Sequence, residues 1–197
     1  MADIFTHDTL KRGLVSYWDM EEASGVRIDR HFTNHLTDNA TVTQDTGKLG
    51  NAAQFTSANS EFLEVGDNTS LSITGDLSIS LWAYFDSAKN VKFVSKRNDT
   101  NSRSYMFEYE NSSTQLGFYV SDDGTGGNET SAQVSWTAST DTWYHLVAVY
   151  DASAGEVDFY EDGSQQGTTQ TGMKTSIFDS SGDFNVGQRG TAGDYMD

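Results

Sequence analysis

Apolar residues in this chain alternate with polar ones in short runs, and nowhere do they recur at the 3.6-residue spacing that buries one face of a helix. That pattern predicts strands at 14–18, 52–55, 62–65, 77–85, 92–95, 105–109, 116–120, 133–136, 143–150, 156–160 and 184–186. The segments between them are rich in Gly, Asn, Asp and Ser, and the 197 residues contain no proline, so those four residue types must make the turns. Many short strands with polar turns, in a chain long enough for one domain, predict an all-β, two-sheet antiparallel sandwich of the jelly-roll kind.

Two runs assign inside and outside. In 77–85 the residues Leu77, Ile79, Leu81, Ala83 and Phe85 share one face and Ser78, Ser80, Trp82 and Tyr84 the other, so the first face is core. The run 143–150 is apolar on both faces, which predicts a central strand and makes His145, between Trp143 and Val147, a hydrogen-bonded core histidine. Asp151 to Gly155 turns the chain into 156–160, and Asp162-Gly163 supplies the next tight hairpin turn.

Charge and composition exclude several functions. Twelve Lys and Arg against 29 Asp and Glu give a net charge of -17, which repels phosphate backbones and anionic lipid and argues against nucleic-acid and membrane partners. The absence of cysteine removes disulfides, thiolate metal sites and thiol nucleophiles. No run approaches the ~20 apolar residues of a membrane span, and residues 1–12 lack the apolar stretch of a secretory signal. They read as an N-terminal arm preceding one domain at 13–197.

Specific stretches resemble the laminin G-like, concanavalin A-type jelly-roll family in order and spacing. They are Gly13-Leu-Val-Ser-Tyr-Trp-Asp-Met-Glu-Glu-Ala-Ser-Gly25, Gly47-Lys-Leu-Gly-Asn-Ala-Ala-Gln-Phe55, Phe62-Leu-Glu-Val65, Val94-Ser-Lys96 and Phe184-Asn-Val-Gly187. The most specific pieces are Trp143-Tyr-His-Leu-Val-Ala-Val-Tyr-Asp151 and Phe159-Tyr-Glu-Asp-Gly163. The resemblance implies a concanavalin A-like fold. It also places Asp29 and Asp197 at positions where the family carries acidic residues, Asp197 at the opening of a closing strand that the chain does not complete, so that a neighbouring subunit or further chain is expected to cover that gap.

Chemistry can be sought at three places. Glu156-Val-Asp-Phe-Tyr-Glu161 matches the Glu-x-Asp-x-x-Glu pattern of laminarinase-type glycoside hydrolases, with Glu156, Asp158 and Glu161 as the catalytic set. The same residues are accounted for as a strand with Val157 and Phe159 inward and its acids outward, Glu161 falling at a hairpin tip and not in a cleft, and this non-catalytic reading is the one that alternation favours. Structural Ca2+ is expected at acidic loops, with Glu22, Asp29, Asp122, Asp123 and Asp197 as candidate ligands, since a hard cation needs several loop oxygens. His31 and His35 could share zinc only on a helix, and Phe32-Thr-Asn34 is poor helix context, so they read as surface histidines.

Sugar binding needs exposed aromatic faces beside hydroxyl-bonding groups, and Tyr105, Tyr109, Tyr119 and Trp136 are the candidates, about half of them expected in the core instead. The functional expectation is a non-catalytic recognition or adhesion module, extracellular or on a virion surface, that contacts a glycan or protein through rim loops and one sheet face. A decoration or fibre component of a virus particle is the structural alternative, and a glycosidase the catalytic one.

Overall fold

The computed structural model describes residues 11–87, 89–98, 101–190 and 195–196. Their thirteen strands are β1 (Thr37–Asn39), β2 (Thr43–Thr46), β3 (Asn51–Gln54), β4 (Phe62–Val65), β5 (Leu77–Phe85), β6 (Val91–Asn98), β7 (Ser102–Glu110), β8 (Gln115–Ser121), β9 (Glu129–Ser135), β10 (Thr142–Asp151), β11 (Glu156–Glu161), β12 (Ser164–Thr171) and β13 (Phe184–Val186). A seven-stranded sheet runs β1-β4-β13-β6-β7-β8-β9 and a four-stranded sheet β12-β11-β10-β5, with β2 and β3 as a separate hairpin. Every strand pair is antiparallel. No described helix is long and apolar enough to cross a membrane.

The core lies between the two large sheets, where alternation sends one face of each strand inward. Leu77 and Phe85 of β5 are buried there, with Ile79, Leu81 and Ala83 packed against the same core. Interior strand β10 buries Tyr144, Leu146, Ala148 and Tyr150, while Trp143, His145, Val147 and Val149 face out and are only half-buried. From the larger sheet come Tyr105, Phe107 and Tyr109 of β7 and Leu116, Phe118 and Val120 of β8. Turn chemistry matches the sequence at Asp162-Gly163, where both residues have positive φ (48° and 82°) and close the β11–β12 hairpin.

Segment 14–18 is not a strand. Tyr17 donates its amide to Asp29 Oδ1, Arg30 donates to the Tyr17 carbonyl, and only the isolated Trp18–Asp29 bridge forms, so this stretch is tied to the 27–31 loop instead of a sheet. Asp29 organises that loop by also accepting the amides of His31 and Asn34. Burial alone would raise its carboxyl, but the backbone donors of Tyr17, His31, Phe32 and Asn34 outweigh it and hold the group below the usual range.

Candidate functional site

Three of the four aromatic residues expected at a ligand surface belong to the core. Tyr105 is 3% exposed with its hydroxyl donated to the Leu71 carbonyl, and burial pushes that hydroxyl's pKa up. Tyr109 and Trp136 pack edge-on to each other with ring centroids 5.1 Å apart, and Trp136 Nε1 donates to Glu161 Oε2 at 2.7 Å. The reason is register: Tyr105, Phe107 and Tyr109 share the inward face of β7, and Trp136 fills the space beside Phe85 and Tyr144. Tyr119 alone stands on the outer face, half-buried, its ring lying against Gly117, where an added Cβ would meet Tyr119 Cε2 at 2.9 Å. Burial, then the nearby Glu108 carboxylate, raises its hydroxyl.

The outer face of the seven-stranded sheet is polar yet covered. One cross-strand row runs Glu64, Asn185, Ser95, Met106, Tyr119 and Ser131. Beside it Lys92 and Glu108, 4% and 3% exposed, pair at 2.5 Å in an ion pair whose geometry is not that of an aligned hydrogen bond. Glu129 bridges Arg97 and Arg103 at 2.8 and 2.9 Å. Where β4 and β13 meet β6, this face opens into a cleft of about 450 Å³ whose walls include Phe62, Glu64, Asp183, Asn185, Gln188 and Tyr195.

The local sequence explains the cleft. Phe62 and Glu64 are two apart on β4 and therefore point to the same side, with Leu63 buried in the core between them. Antiparallel pairing sets Asn185 opposite Glu64 and Ser95, and the Gln188–Tyr195 bridge places the Tyr195 ring 6.1 Å from that of Phe62. Ser95 Oγ donates to the Gln188 carbonyl at 2.8 Å and fixes the cleft floor. The half-buried Glu64 lines the cleft, and its carboxylate is an acceptor there. Two aromatic rings beside a carboxylate, a carboxamide and backbone amides can pack a C–H face and bond hydroxyls at its rim.

The hydrolase-type trio is divided between two faces. On β11, Glu156 and Asp158 point away from the core, whereas Glu161 pairs with Leu146 and follows Val157 and Phe159 inward to meet Trp136. Asp158 is held by Gln165 Nε2 and Thr169 Oγ1, both at 2.7 Å. Among the described residues the expected cation ligands are each committed separately, Glu22 to Arg30 and the Ile28 amide, Asp29 to the loop amides, Asp122 to Lys174 and Asn128, and Asp123 to Thr125 and Ser121. No three described His, Asp or Glu side chains are grouped to hold a metal ion, and Asp197 lies outside the described residues, as does 1–10 of the arm.

His145 is not a core residue. It faces outward, half-buried, with Nε2 2.8 Å from Ser80 Oγ. The loop that carries His31 and His35 is not helical, and His35 Nδ1 accepts the Asp29 amide, so the two are not arranged as a zinc pair. The sequence does not mark Phe62, Glu64, Asn185 and Tyr195, which lie at outward positions of two short strands and at an isolated bridge, far apart in the chain.

Residues 57–197 match the Concanavalin A-like lectin/glucanases superfamily, and the chain belongs to it. No curated protein matches in sequence. Among solved structures, domain 4 of AbnA, a GH43 extracellular arabinanase from Geobacillus stearothermophilus in complex with arabinotriose, superposes with TM-score 0.61 at 17% identity, covering 84% of each chain. The binding domain of Botulinum Neurotoxin DC in complex with SialylT gives 0.59 at 13% identity over 89% of this chain and 44% of that one. The CBM40 of a Ruminococcus gnavus IT-sialidase bound to alpha2,3 sialyllactose gives 0.50 at 9% identity over 64% and 71%. At these identities the likeness is one of fold.

Proposed function

We propose that this chain is a non-catalytic, extracellular glycan-binding module that seats a sugar chain in the cleft on the outer face of its seven-stranded sheet. The observation that carries the reading is the pairing of the Phe62 and Tyr195 rings, 6.1 Å apart, with the Glu64 carboxylate and Asn185 carboxamide in one cleft. A sugar ring lies on such aromatic faces through its C–H groups while its hydroxyls donate to Glu64 and exchange bonds with Asn185. Solved relatives of this fold that carry bound sugars support the ligand class. Division of Glu156 and Asp158 from Glu161 supports the absence of hydrolysis, because a retaining pair must flank one bond about 5–5.5 Å apart.

Affinity electrophoresis through gels containing arabinan, mixed-linkage β-glucan or xylan tests it. The chain is expected to be retarded by at least one of them, and Phe62→Ala with Glu64→Gln to weaken that retardation about tenfold or more, the scale of one charged hydrogen bond. Absence of retardation in every gel, or release of reducing sugar by the intact chain, defeats the proposal.

A further inference from the structure

The opposite side of the sandwich carries a surface that the cleft does not use. β5 and β10 pair so that Trp82 lies opposite His145 and Tyr84 opposite Trp143, all four facing away from the core. The rings form two neighbouring pairs, Trp82–His145 with centroids 5.2 Å apart and planes at 33°, and Tyr84–Trp143 at 5.4 Å and 47°. Positions two apart on a strand are separated by about 7 Å, so the two pairs make one continuous platform. Trp82 is 47% exposed and Tyr84 43%, which leaves broad aromatic surface in water where burial would have been favourable.

Two turns raise walls around this platform. The tip of the β2–β3 hairpin brings Lys48 Nζ to 5.1 Å from the Trp82 ring, and the β11–β12 turn contributes Asp162 and Gly163. Together with Trp82 and His145 they enclose an open hollow of about 480 Å³. Its polar atoms hold the ring edges: Ser80 Oγ meets His145 Nε2, Asp162 Oδ1 accepts the His145 amide at 3.0 Å, and Tyr84 donates its hydroxyl to Asp141 at 3.1 Å. The rings are thereby oriented through their edges and backbone.

We infer that this platform is a second ligand site, one that takes two consecutive rings of an uncharged sugar chain. Each pair of aromatic rings offers a face for the C–H side of one sugar, and Lys48 and Asp162 lie where rim hydroxyls accept and donate hydrogen bonds. Charge selects the neutral class. Lys48 and Asp162 balance within the hollow, while the net -17 of the chain opposes a polyanion. The inference shares its ligand class with the cleft reading but none of its residues, so the two fail separately. A module with sugar sites on both faces of one sandwich bridges two polysaccharide chains without dimerising.

Three proteins, wild type, Trp82→Ala with Trp143→Ala, and Phe62→Ala with Glu64→Gln, are run through gels of arabinan, mixed-linkage β-glucan, xylan and, as the anionic control, alginate. The platform variant is expected to bind a neutral polysaccharide roughly tenfold more weakly than wild type, with an unfolding transition that stays cooperative and shifts only slightly, and no retardation of any protein by alginate. Full retention of binding by the platform variant in every neutral gel overturns the inference and leaves the cleft reading standing. Loss in the platform variant with none in the cleft variant does the reverse. Retardation by alginate alone, failure of wild type to bind any polysaccharide, or a wild-type dimer in light scattering that the platform variant abolishes also overturns it, the last by making this face a protein interface.

Discussion

The two outward faces of this sandwich are built on opposite principles. On the seven-stranded side Lys92, Arg97 and Glu108 are nearly inaccessible, Lys92 paired with Glu108 and Arg97 with Glu129, while on the four-stranded side Trp82 and Tyr84 stand close to half-exposed. Polar groups are covered on one face and aromatic groups uncovered on the other, the reverse of what transfer energies favour in each case. A face that withdraws its charges from water depends on every partner being present. A face that leaves its rings in water does not, and its substitutions fall on binding more than on folding.

The largest expected loss of stability lies in neither face but in the core between them. Trp136→Ala removes an aromatic side chain packed against Phe85, Tyr109 and Tyr144 and orphans Glu161, and should cost roughly 3–5 kcal/mol in denaturant unfolding. Had Trp136 been a ligand platform instead, the cost would be near zero. Next comes the covered charge pair. Lys92→Met alone should cost about 3 kcal/mol by stranding Glu108, whereas Lys92→Met with Glu108→Leu should recover most of that loss. A double variant as unstable as the single one would show that this pair does more than neutralise itself.

Asp29 gives a smaller and pH-dependent effect. Its folded pKa is depressed, so its contribution is complete above the unfolded value of about 3.9 and is lost as pH falls through the lower folded value. Asp29→Asn should be about 1–3 kcal/mol less stable than the wild type at neutral pH, with the gap closing progressively below about pH 4. A gap that stays constant down to pH 2 would remove the carboxylate charge from the explanation. The smallest effect is expected on the exposed platform, where Trp82→Ala should cost below about 1 kcal/mol, the range of one cross-strand pair. If Trp82→Ala destabilises as much as Lys92→Met, the contrast between the faces fails.

Alternation made some of this architecture readable and left the rest silent. β5 was legible to the residue and β10 to within one residue at each end because each carries an unbroken apolar face, and the Asp162-Gly163 turn because Asp-Gly readily accepts two successive positive φ angles. β12 gave no signal, since Ser164–Thr171 contains only Ser, Gln, Gly and Thr and buries none of them. Tyr105 and Tyr109 suit sugar contact by aromatic identity alone, whereas their register with Phe107 between them puts all three on the core face. Trp82 and Tyr84 were correctly turned outward, yet their pairing with His145 and Trp143 depends on the β5–β10 register, which no single strand encodes. The cleft was illegible for the same reason, as Phe62 meets Tyr195 only once β13 has joined β4 to the sheet.

β12 has a further consequence that concerns other molecules. As the outermost strand of the four-stranded sheet it presents the kind of unpaired backbone on which foreign strands add and fibrils grow. Its side chains offer such a strand no apolar surface, its register against β11 is broken between Val157 and Phe159, and Gly167 turns to a φ of 68° where an added Cβ would meet Val134 Cγ1 of the other sheet at 2.9 Å. The interruption bends a potential template out of the straight, repeating form that polymerisation requires. The break in register beside 157–159 and the turn at Gly167 are in this sense protective, opposing the growth of a fibril from an edge whose uncharged, Gln-containing sequence would not prevent it.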